Sequence, residues 1–249
     1  ELFVPQGMAL HAYKLDALPL ASNQWISSPL TVAKMTEALT CKGADSVLEI
    51  GCGSGYQALV LSKLIRRVFT IERIERLLKE AKEKHPNLNF ENMNMLKINE
   101  KFEENSFDRV VSFGNTLVHL DSREEVEEFF QKVYKTLKFN GFFIVQIINY
   151  NRVIEKNIKN LPTIDNEKVK FVRDYEYDKS IGKVDFITEL TIKEANLNIK
   201  NNIKLLALTK IEIQKFLGET GFRNIEFYGD FEGRELSDNS EALIFVAQK

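Results

Sequence analysis

The chain has 249 residues, 44% hydrophobic and 28% charged, a composition typical of one large globular domain or two small ones. Its formal net charge of −2 lacks the basic surplus of a protein that neutralises phosphates, which disfavours a nucleic-acid partner. There is no apolar run long enough for a membrane helix, and Cys41 and Cys52 are too few for a disulfide framework or a metal site. With an N-terminus unlike a signal peptide, these features predict a cytoplasmic protein without metal, nucleic-acid or membrane partners.

The first third of the chain alternates strand and helix signals. Ser28 followed by Pro29 is typical of a helix N-cap with proline in the first turn. Further on, short apolar runs predict strands. Longer stretches with apolar residues at helical spacing predict helices. The predicted order is strand 47–50, helix 57–64, strand 68–71 and helix 75–84.

The rest of the chain continues this rhythm with one interruption. Two capping boxes, Ser122 with Glu125 and Thr209 with Glu212, predict helices that run to about Leu137 and to Gly221, respectively. Asn140-Gly141 is expected to stop the first of these helices. Strands are predicted at 107–113, 142–148, 225–228 and 242–246, and residues 169–208 alternate as strands only.

This pattern predicts one α/β domain with a doubly wound sheet. Residues 1–45 would form an N-terminal lid or helical segment and residues 46–150 the core that binds a cofactor. A β-rich insertion at 169–208 would cover one end of the sheet, and residues 209–249 would supply the last helix and strands.

A glycine-rich turn follows the first buried strand of this core. Gly51, Gly53 and Gly55 allow a tight turn and a close approach of the backbone to a ligand. Glu49 stands where a dinucleotide site usually has an apolar residue, and it suits a ligand with a sulfonium or ammonium group. Glu72 ends the following strand, where a carboxylate can accept hydrogen bonds from both hydroxyls of a ribose.

Together these residues resemble the cofactor motifs of class I S-adenosylmethionine-dependent methyltransferases over most of the chain. The resemblance implies a Rossmann-like seven-stranded methyltransferase sheet and S-adenosyl-L-methionine as cofactor. It places the glycine loop under the methionine part and Glu72 on the ribose. Asn94 would accept a hydrogen bond from the adenine amine. Met95 would pack on the base, although plain core packing is an equal alternative for it.

Residues 1–84 resemble protein-L-isoaspartate O-methyltransferases more specifically. The family's Ile-Ser-x-Pro segment lies over the methyl-transfer centre, and the resemblance implies a catalytic part for Ser27. Trp25 and Ser28 depart from the commoner Thr and Gln of that segment. The matching stretches are 2–5, 17–20, 26–29, 32–36, 47–57 and 70–74.

Residues 85–249 resemble small-molecule class I methyltransferases of the N-methyltransferase type. Asn115 and His119 follow the fourth strand, and Asn149 and Tyr150 the fifth, all at the carboxyl edge of the sheet. We expect Asn115 at the cofactor and His119 and Tyr150 at the acceptor as candidate catalytic residues, with His119 able to act as a base. A histidine that is merely hydrogen-bonded in a loop is the alternative for His119.

Composition also divides the chain. Residues 1–84 contain one asparagine, whereas residues 85–249 contain nineteen, and alanine falls from nine to four. Local bias in an evolving gene explains this, or else two sequences of different origin are joined within one sheet. The favoured prediction is a methyltransferase that acts on a small-molecule acceptor. The alternatives are an isoaspartyl-peptide methyltransferase and a hybrid that binds cofactor with little turnover.

Overall fold

The computed structural model describes residues 2–4, 12–13, 18–20, 22, 24–167, 169–194 and 196–249. The stretches at 2–5 and 17–20, on which part of the isoaspartyl resemblance depends, therefore lie partly outside the described residues. No helix in the described part of the chain has both the length and the apolar character needed to cross a membrane.

Helices and strands alternate along most of the chain. The helices are α1 (Pro29–Ala38), α2 (Tyr56–Leu61), α3 (Glu75–Lys84), α4 (Ile98–Lys101), α5 (Arg123–Thr136), α6 (Tyr150–Glu155) and α7 (Lys210–Thr220). The strands are β1 (Leu18–Pro19), β2 (Trp25–Ile26), β3 (Ser46–Ile50), β4 (Arg67–Glu72), β5 (Asn89–Asn92), β6 (Phe107–Ser112), β7 (Leu137–Ile148), β8 (Ile164–Asp165), β9 (Val169–Asp178), β10 (Lys183–Ile192), β11 (Leu197–Leu206), β12 (Arg223–Tyr228) and β13 (Ala242–Gln248).

A seven-stranded sheet forms the centre of the fold and confirms the predicted architecture. Its strand order is β12-β13-β7-β6-β3-β4-β5. The strands from β5 to β7 pair in parallel, and β13 pairs antiparallel with both of its neighbours. The chain winds from β3 outward through β4 and β5, then returns to β6 on the other side. This reversal opens a crevice at the carboxyl ends of β3 and β6, where ligands bind in such sheets.

The core strands form where the sequence is apolar on both faces. In β3, Val47, Leu48 and Ile50 are at most 1% exposed, as expected for a parallel strand covered on both sides. The helix predicted at 75–84 is found with the same bounds, and it buries Leu77 and Ala81 against the sheet. Ser28 caps α1 through a hydrogen bond from the Thr31 amide, also as predicted.

The prediction that Asn140-Gly141 stops a helix is wrong. α5 ends at Thr136 and β7 begins at the next residue, so the pair lies inside a long strand. The register with β6 shifts here, and Asn140 has a φ of +62°. A Cβ on Gly141 would lie 2.8 Å from the Lys138 carbonyl oxygen. The two residues therefore form an irregularity in the strand, a role that the same residue types also favour.

The β-rich segment forms a second sheet of order β11-β10-β9-β8, with antiparallel pairing throughout. It begins slightly earlier than the predicted 169–208. Its inner face places Tyr175, Val184 and Leu205 in the same apolar cluster as Leu48 and Phe143 of the central sheet. The second sheet is therefore packed onto the end of the central one.

An ionic contact joins early and late parts of the chain at the opposite edge of the central sheet. Asp108 accepts hydrogen bonds from the Asp45 and Ser46 amides, the Ser46 hydroxyl and the Lys138 ammonium. Partial burial opposes ionisation of Asp108, but these donors outweigh it and lower the pKa of the carboxyl to about 2. The contact ties the start of β3 to β6 and β7.

Candidate functional site

A cleft opens at the carboxyl ends of β3, β4 and β6. The space between its walls, together with the solvent at its open mouth, is about 1290 Å³. Its walls come from the N-terminal strand β2, the glycine loop, the ends of β4 and β5, and the segment after β6. The lining comprises residues 24–27, 32, 35, 49–54, 56–57, 71–74, 93–95, 113–114, 116, 119–121 and 125.

The three predicted glycines have different surroundings. A Cβ on Gly51 would lie 2.8 Å from the Thr116 side chain, and one on Gly55 would lie 3.2 Å from Ala81 and Phe90. These two glycines therefore allow close packing within the protein. Among the described residues, a Cβ on Gly53 would meet only Leu20, at 3.9 Å, and Gly53 lines the cleft. Gly53 is the glycine at which a ligand can approach the backbone.

Glu72 lies beside Gly53 and is held in place by the backbone. Its side chain is 7% exposed. Oε2 accepts a hydrogen bond from the Gly53 amide at 3.1 Å, and Oε1 accepts one from the Ile74 amide at 2.9 Å. Each carboxylate oxygen can accept more than one hydrogen bond, so both retain capacity for ligand hydroxyls. This preorganised acceptor agrees with the predicted position of a ribose-binding carboxylate.

Glu49 forms a second buried carboxylate in the same wall. It is 4% exposed, and the Thr70 hydroxyl donates to Oε2 at 2.6 Å. Burial raises the pKa of Glu49 to about 7, the charge of Glu72 adds to the rise, and the bond from Thr70 opposes it. A cation in the cleft would stabilise the ionised form of Glu49. The wall therefore suits a cationic ligand better than a pyrophosphate.

The predicted adenine-binding residues also line the cleft. Asn94 follows β5, and its Oδ1 caps a short 3-10 turn by accepting a hydrogen bond from the Leu96 amide at 2.9 Å. The second lone pair of that oxygen can still accept from an amine. Met95 is half-buried and lies in the lining with Met93. An apolar surface next to a hydrogen-bond acceptor is suited to binding a purine base.

His119 lies on the opposite wall, in the segment after β6. Burial lowers the pKa of its imidazole to about 4, and the charge of Arg73 adds to the effect. His119 is therefore neutral at pH 7 and can accept a proton or a hydrogen bond through a free ring nitrogen. The low pKa makes it a weak base, better suited to orienting an acceptor than to removing a proton from an ammonium group.

The N-terminal segment supplies the remaining wall. Ser27 is half-buried and lines the cleft, as the isoaspartyl resemblance implies, whereas Ser28 is buried as the cap of α1. The Leu20 side chain lies 3.9 Å from the place that a Cβ on Gly53 would take. The segment that contains β1 and β2 therefore extends over the glycine loop.

The structure does not bring Tyr150 and Asn115 into the cleft. Tyr150 is 0% exposed in the core, where its hydroxyl accepts a hydrogen bond from Asn115 Nδ2 at 3.1 Å. The Asn115 Oδ1 accepts from the Ile148 amide, so its amide group ties β7 to the segment after β6. Asn149 is also buried and donates to the Ser240 carbonyl oxygen. These side chains support the cleft from behind, and we do not assign them to a ligand.

Sequence reasoning gave no place in the cleft to several residues that shape it, among them Thr70 and Trp25. Thr70, which holds Glu49, is the register partner of Glu49 across β3 and β4, so pairing of the two predicted strands would have found it. Trp25 lines the cleft, and the available signal was its departure from the isoaspartyl pattern.

Comparison with known proteins separates the N-terminal part of the chain from the rest, as its composition does, but at a later residue. Residues 1–102 match the family profile of protein-L-isoaspartate(D-aspartate) O-methyltransferase. A protein-L-isoaspartate O-methyltransferase from Helicobacter pylori is 56% identical over 95 residues, which is 38% of this chain and 46% of that protein. The chain therefore spans less than half the length of this relative. The match ends later than the predicted boundary at residue 84.

Most of the chain is similar in fold to solved methyltransferases. An S-adenosylmethionine-dependent methyltransferase from Clostridium acetobutylicum covers 88% of this chain and 90% of its own, with a TM-score of 0.75 and 15% identity. CalS10, an amino pentose methyltransferase from Micromonospora echinaspora solved with bound S-adenosylmethionine, covers 87% of this chain and 89% of its own, with a TM-score of 0.67 and 15% identity. The chain thus has the fold of S-adenosylmethionine-dependent methyltransferases. The resemblance to this class over most of the chain and the isoaspartyl resemblance of its N-terminal part are confirmed.

Proposed function

We propose that the chain is an S-adenosylmethionine-dependent methyltransferase that acts on a small-molecule acceptor. The observation that carries the cofactor assignment is the open face of Gly53 beside two buried carboxylates, Glu72 and Glu49. Glu72 would accept hydrogen bonds from the ribose hydroxyls, and Asn94 and Met95 would hold the adenine. Gly53 leaves room for the methionine part, and Glu49 would lie on the side of its positive charges.

The chain's own residues have little covalent chemistry to perform in this reaction. Bound S-adenosylmethionine supplies an activated methyl group on a sulfonium. The protein has to align the acceptor with that group and to keep water away, so positioning dominates. His119 would orient the acceptor from the wall after β6, and Ser27 would contact it from the N-terminal segment.

The acceptor half of the cleft supports a small molecule. Its wall from Phe113 to Leu120 lies beyond residue 102, where the isoaspartyl match ends. CalS10, a structural neighbour over most of the chain, is an amino pentose methyltransferase. Apart from Glu49 and Glu72 on the cofactor side, the described lining contains two carboxyl groups, on Asp121 and Glu125, and one guanidinium, on Arg73. The two carboxylates would disfavour a carboxylate acceptor and attract an amine, so we favour an amine.

Methylation of an isoaspartyl peptide is the second candidate, because Ser27 lines the cleft at the position that the isoaspartyl resemblance implies. A hybrid that binds cofactor without turnover is the third. We expect methyl transfer from labelled cofactor to members of a panel of amines, including amino sugars, but not to an isoaspartyl peptide. His119→Ala should change which amines are labelled, while cofactor affinity changes by less than about threefold, well under 1 kcal/mol. Ser27→Ala should have a smaller effect.

Ser180→Ala, in the exposed turn between β9 and β10, is the control for loss of a hydroxyl. If the wild-type protein labelled the isoaspartyl peptide, and if only Ser27→Ala lost this activity, the second candidate would be established instead. Cofactor binding with no label on any acceptor would favour the third.

Affinity for S-adenosylmethionine should rise with pH as Glu49 ionises. Since the pKa of Glu49 lies at about 7 in the free protein, the group must lose a proton below that pH to pair with a cation. Below about pH 7, each further unit of pH should therefore lower the affinity by up to about tenfold. Calorimetry between about pH 6 and 8 should show the slope in wild type and a flatter profile in Glu49→Gln. Parallel profiles for the two proteins would contradict the assignment of Glu49 to the cation.

A further inference from the structure

An aromatic contact links the N-terminal segment to the second sheet at the edge of the cleft. Trp25 in β2 lines the cleft, and its ring stacks on Phe171 in β9. The ring centroids are 4.3 Å apart and the planes are inclined by 28°. The contact is outside the glycine loop and the carboxylates, and the mechanism above does not use it.

The two partners of this contact differ in how firmly they are held. Phe171 is 4% exposed and lies in a three-strand ladder, paired with Ile164 on one side and Leu190 on the other. Trp25 belongs to a ladder of two residue pairs between β1 and β2. So short a ladder is marginal without side-chain packing. Phe171 is therefore the fixed surface against which the N-terminal strand rests.

The two residues also come from different parts of the chain. Trp25 stands within the isoaspartyl match but departs from the pattern of that family, which commonly has Thr there. Phe171 lies well beyond residue 102, where the match ends. The contact therefore joins the part of the chain that matches the isoaspartyl family to a part outside that match.

We propose that Phe171 is a positioning residue that holds Trp25, and with it the strand leading to Ser27, closed over the ligand in the cleft. The inference rests on the proposed function, because the ligand is taken to be the S-adenosyl group. Leu20, in the same segment, already lies above Gly53. A strand held at Trp25 would therefore cover the glycine loop and exclude water from the reacting groups.

The contact can be observed directly, because Trp25 is the single tryptophan of the chain. In the free protein, Phe171→Ala should shift the tryptophan emission to longer wavelength and raise its quenching by acrylamide at least about twofold, since the indole loses its aromatic cover. Phe171→Tyr should restore wild-type values. Leu197→Ala is the matched control, because Leu197 is an exposed apolar residue on the same sheet. Unchanged emission and quenching in folded Phe171→Ala would overturn the proposal.

The second measurement is affinity for S-adenosylhomocysteine by calorimetry. Phe171→Ala should weaken binding about threefold to tenfold, and Phe171→Tyr and Leu197→Ala should bind like wild type. Altered emission with wild-type affinity in Phe171→Ala would overturn the positioning role. Wild-type protein that binds neither S-adenosylhomocysteine nor S-adenosylmethionine would refute the proposed function itself, a result distinct from wild-type binding that the mutation leaves unchanged.

Discussion

Gly53→Val should abolish binding of S-adenosylmethionine while the protein stays folded. In the part of the chain that the structure describes, a Cβ there would meet only Leu20, at 3.9 Å. A branched side chain would instead occupy the space of the ligand's methionine part. We expect affinity to fall by at least about a hundredfold, or 2.7 kcal/mol, in calorimetry, with the far-ultraviolet circular dichroism nearly unchanged.

Backbone strain has to be separated from this effect, because Gly53 has a φ of +51°. A β-branched residue in that conformation costs about 1–2 kcal/mol of stability. Gly43→Val is a matched control, since Gly43 has a φ of +82°, open space around its Cβ and a position outside the cleft lining. Both variants should lose similar stability, and Gly43→Val alone should keep its affinity. If Gly53→Val bound S-adenosylmethionine as tightly as Gly43→Val, the glycine loop would be only a structural turn.

The wall that we propose for the cofactor was predictable because its residues are fixed by short segments of chain. Glu49 and Glu72 end neighbouring parallel strands, and strand pairing alone brings their carboxyl ends to one edge of the sheet. Their side chains also had to be buried, since both strands are apolar around them. Spacing along the chain was therefore enough to place the two carboxylates in one wall.

The acceptor side was less predictable because position at an edge does not give the direction of a side chain. Asn115 and Tyr150 lie at the expected edge, yet they hydrogen-bond to each other in the core. Asn115 has a φ of +67°, and its Oδ1 bonds to the Ile148 amide. The conformation of one turn thus decides whether the amide faces a ligand or a neighbouring strand, and residue types do not specify it.

The contact of Trp25 with Phe171 was out of reach of sequence reasoning for another reason. The two residues are far apart in the chain, and the predicted strands of the second sheet had no defined register or docking position. Only tertiary packing brings β9 next to β2. Departure of Trp25 from the isoaspartyl pattern marked it as unusual without indicating its partner.

Glu72→Ala should weaken both S-adenosylmethionine and S-adenosylhomocysteine by at least about tenfold, or 1.4 kcal/mol, in calorimetry. The two ligands share the ribose, and each charge-assisted hydrogen bond to Glu72 contributes roughly 1.5–3 kcal/mol before compensation. Loss of Glu72 also leaves the Gly53 and Ile74 amides without the acceptor they have in the structure. The loss of affinity should therefore be larger than for a carboxylate that contacts only the ligand and accepts no hydrogen bonds from the backbone.

The pattern across the two ligands separates Glu72 from Glu49. Glu72→Ala should weaken both ligands by a similar factor. Glu49→Gln should weaken S-adenosylmethionine more than S-adenosylhomocysteine, because S-adenosylhomocysteine keeps the ammonium but lacks the sulfonium charge. Glu75→Ala, in the exposed first turn of α3, removes a nearby charge outside the cleft lining and should leave both affinities unchanged. Wild-type affinity in folded Glu72→Ala would exclude the ribose assignment. A loss confined to S-adenosylmethionine would instead place Glu72 beside the sulfonium, so the adenosine would have to lie elsewhere in the cleft.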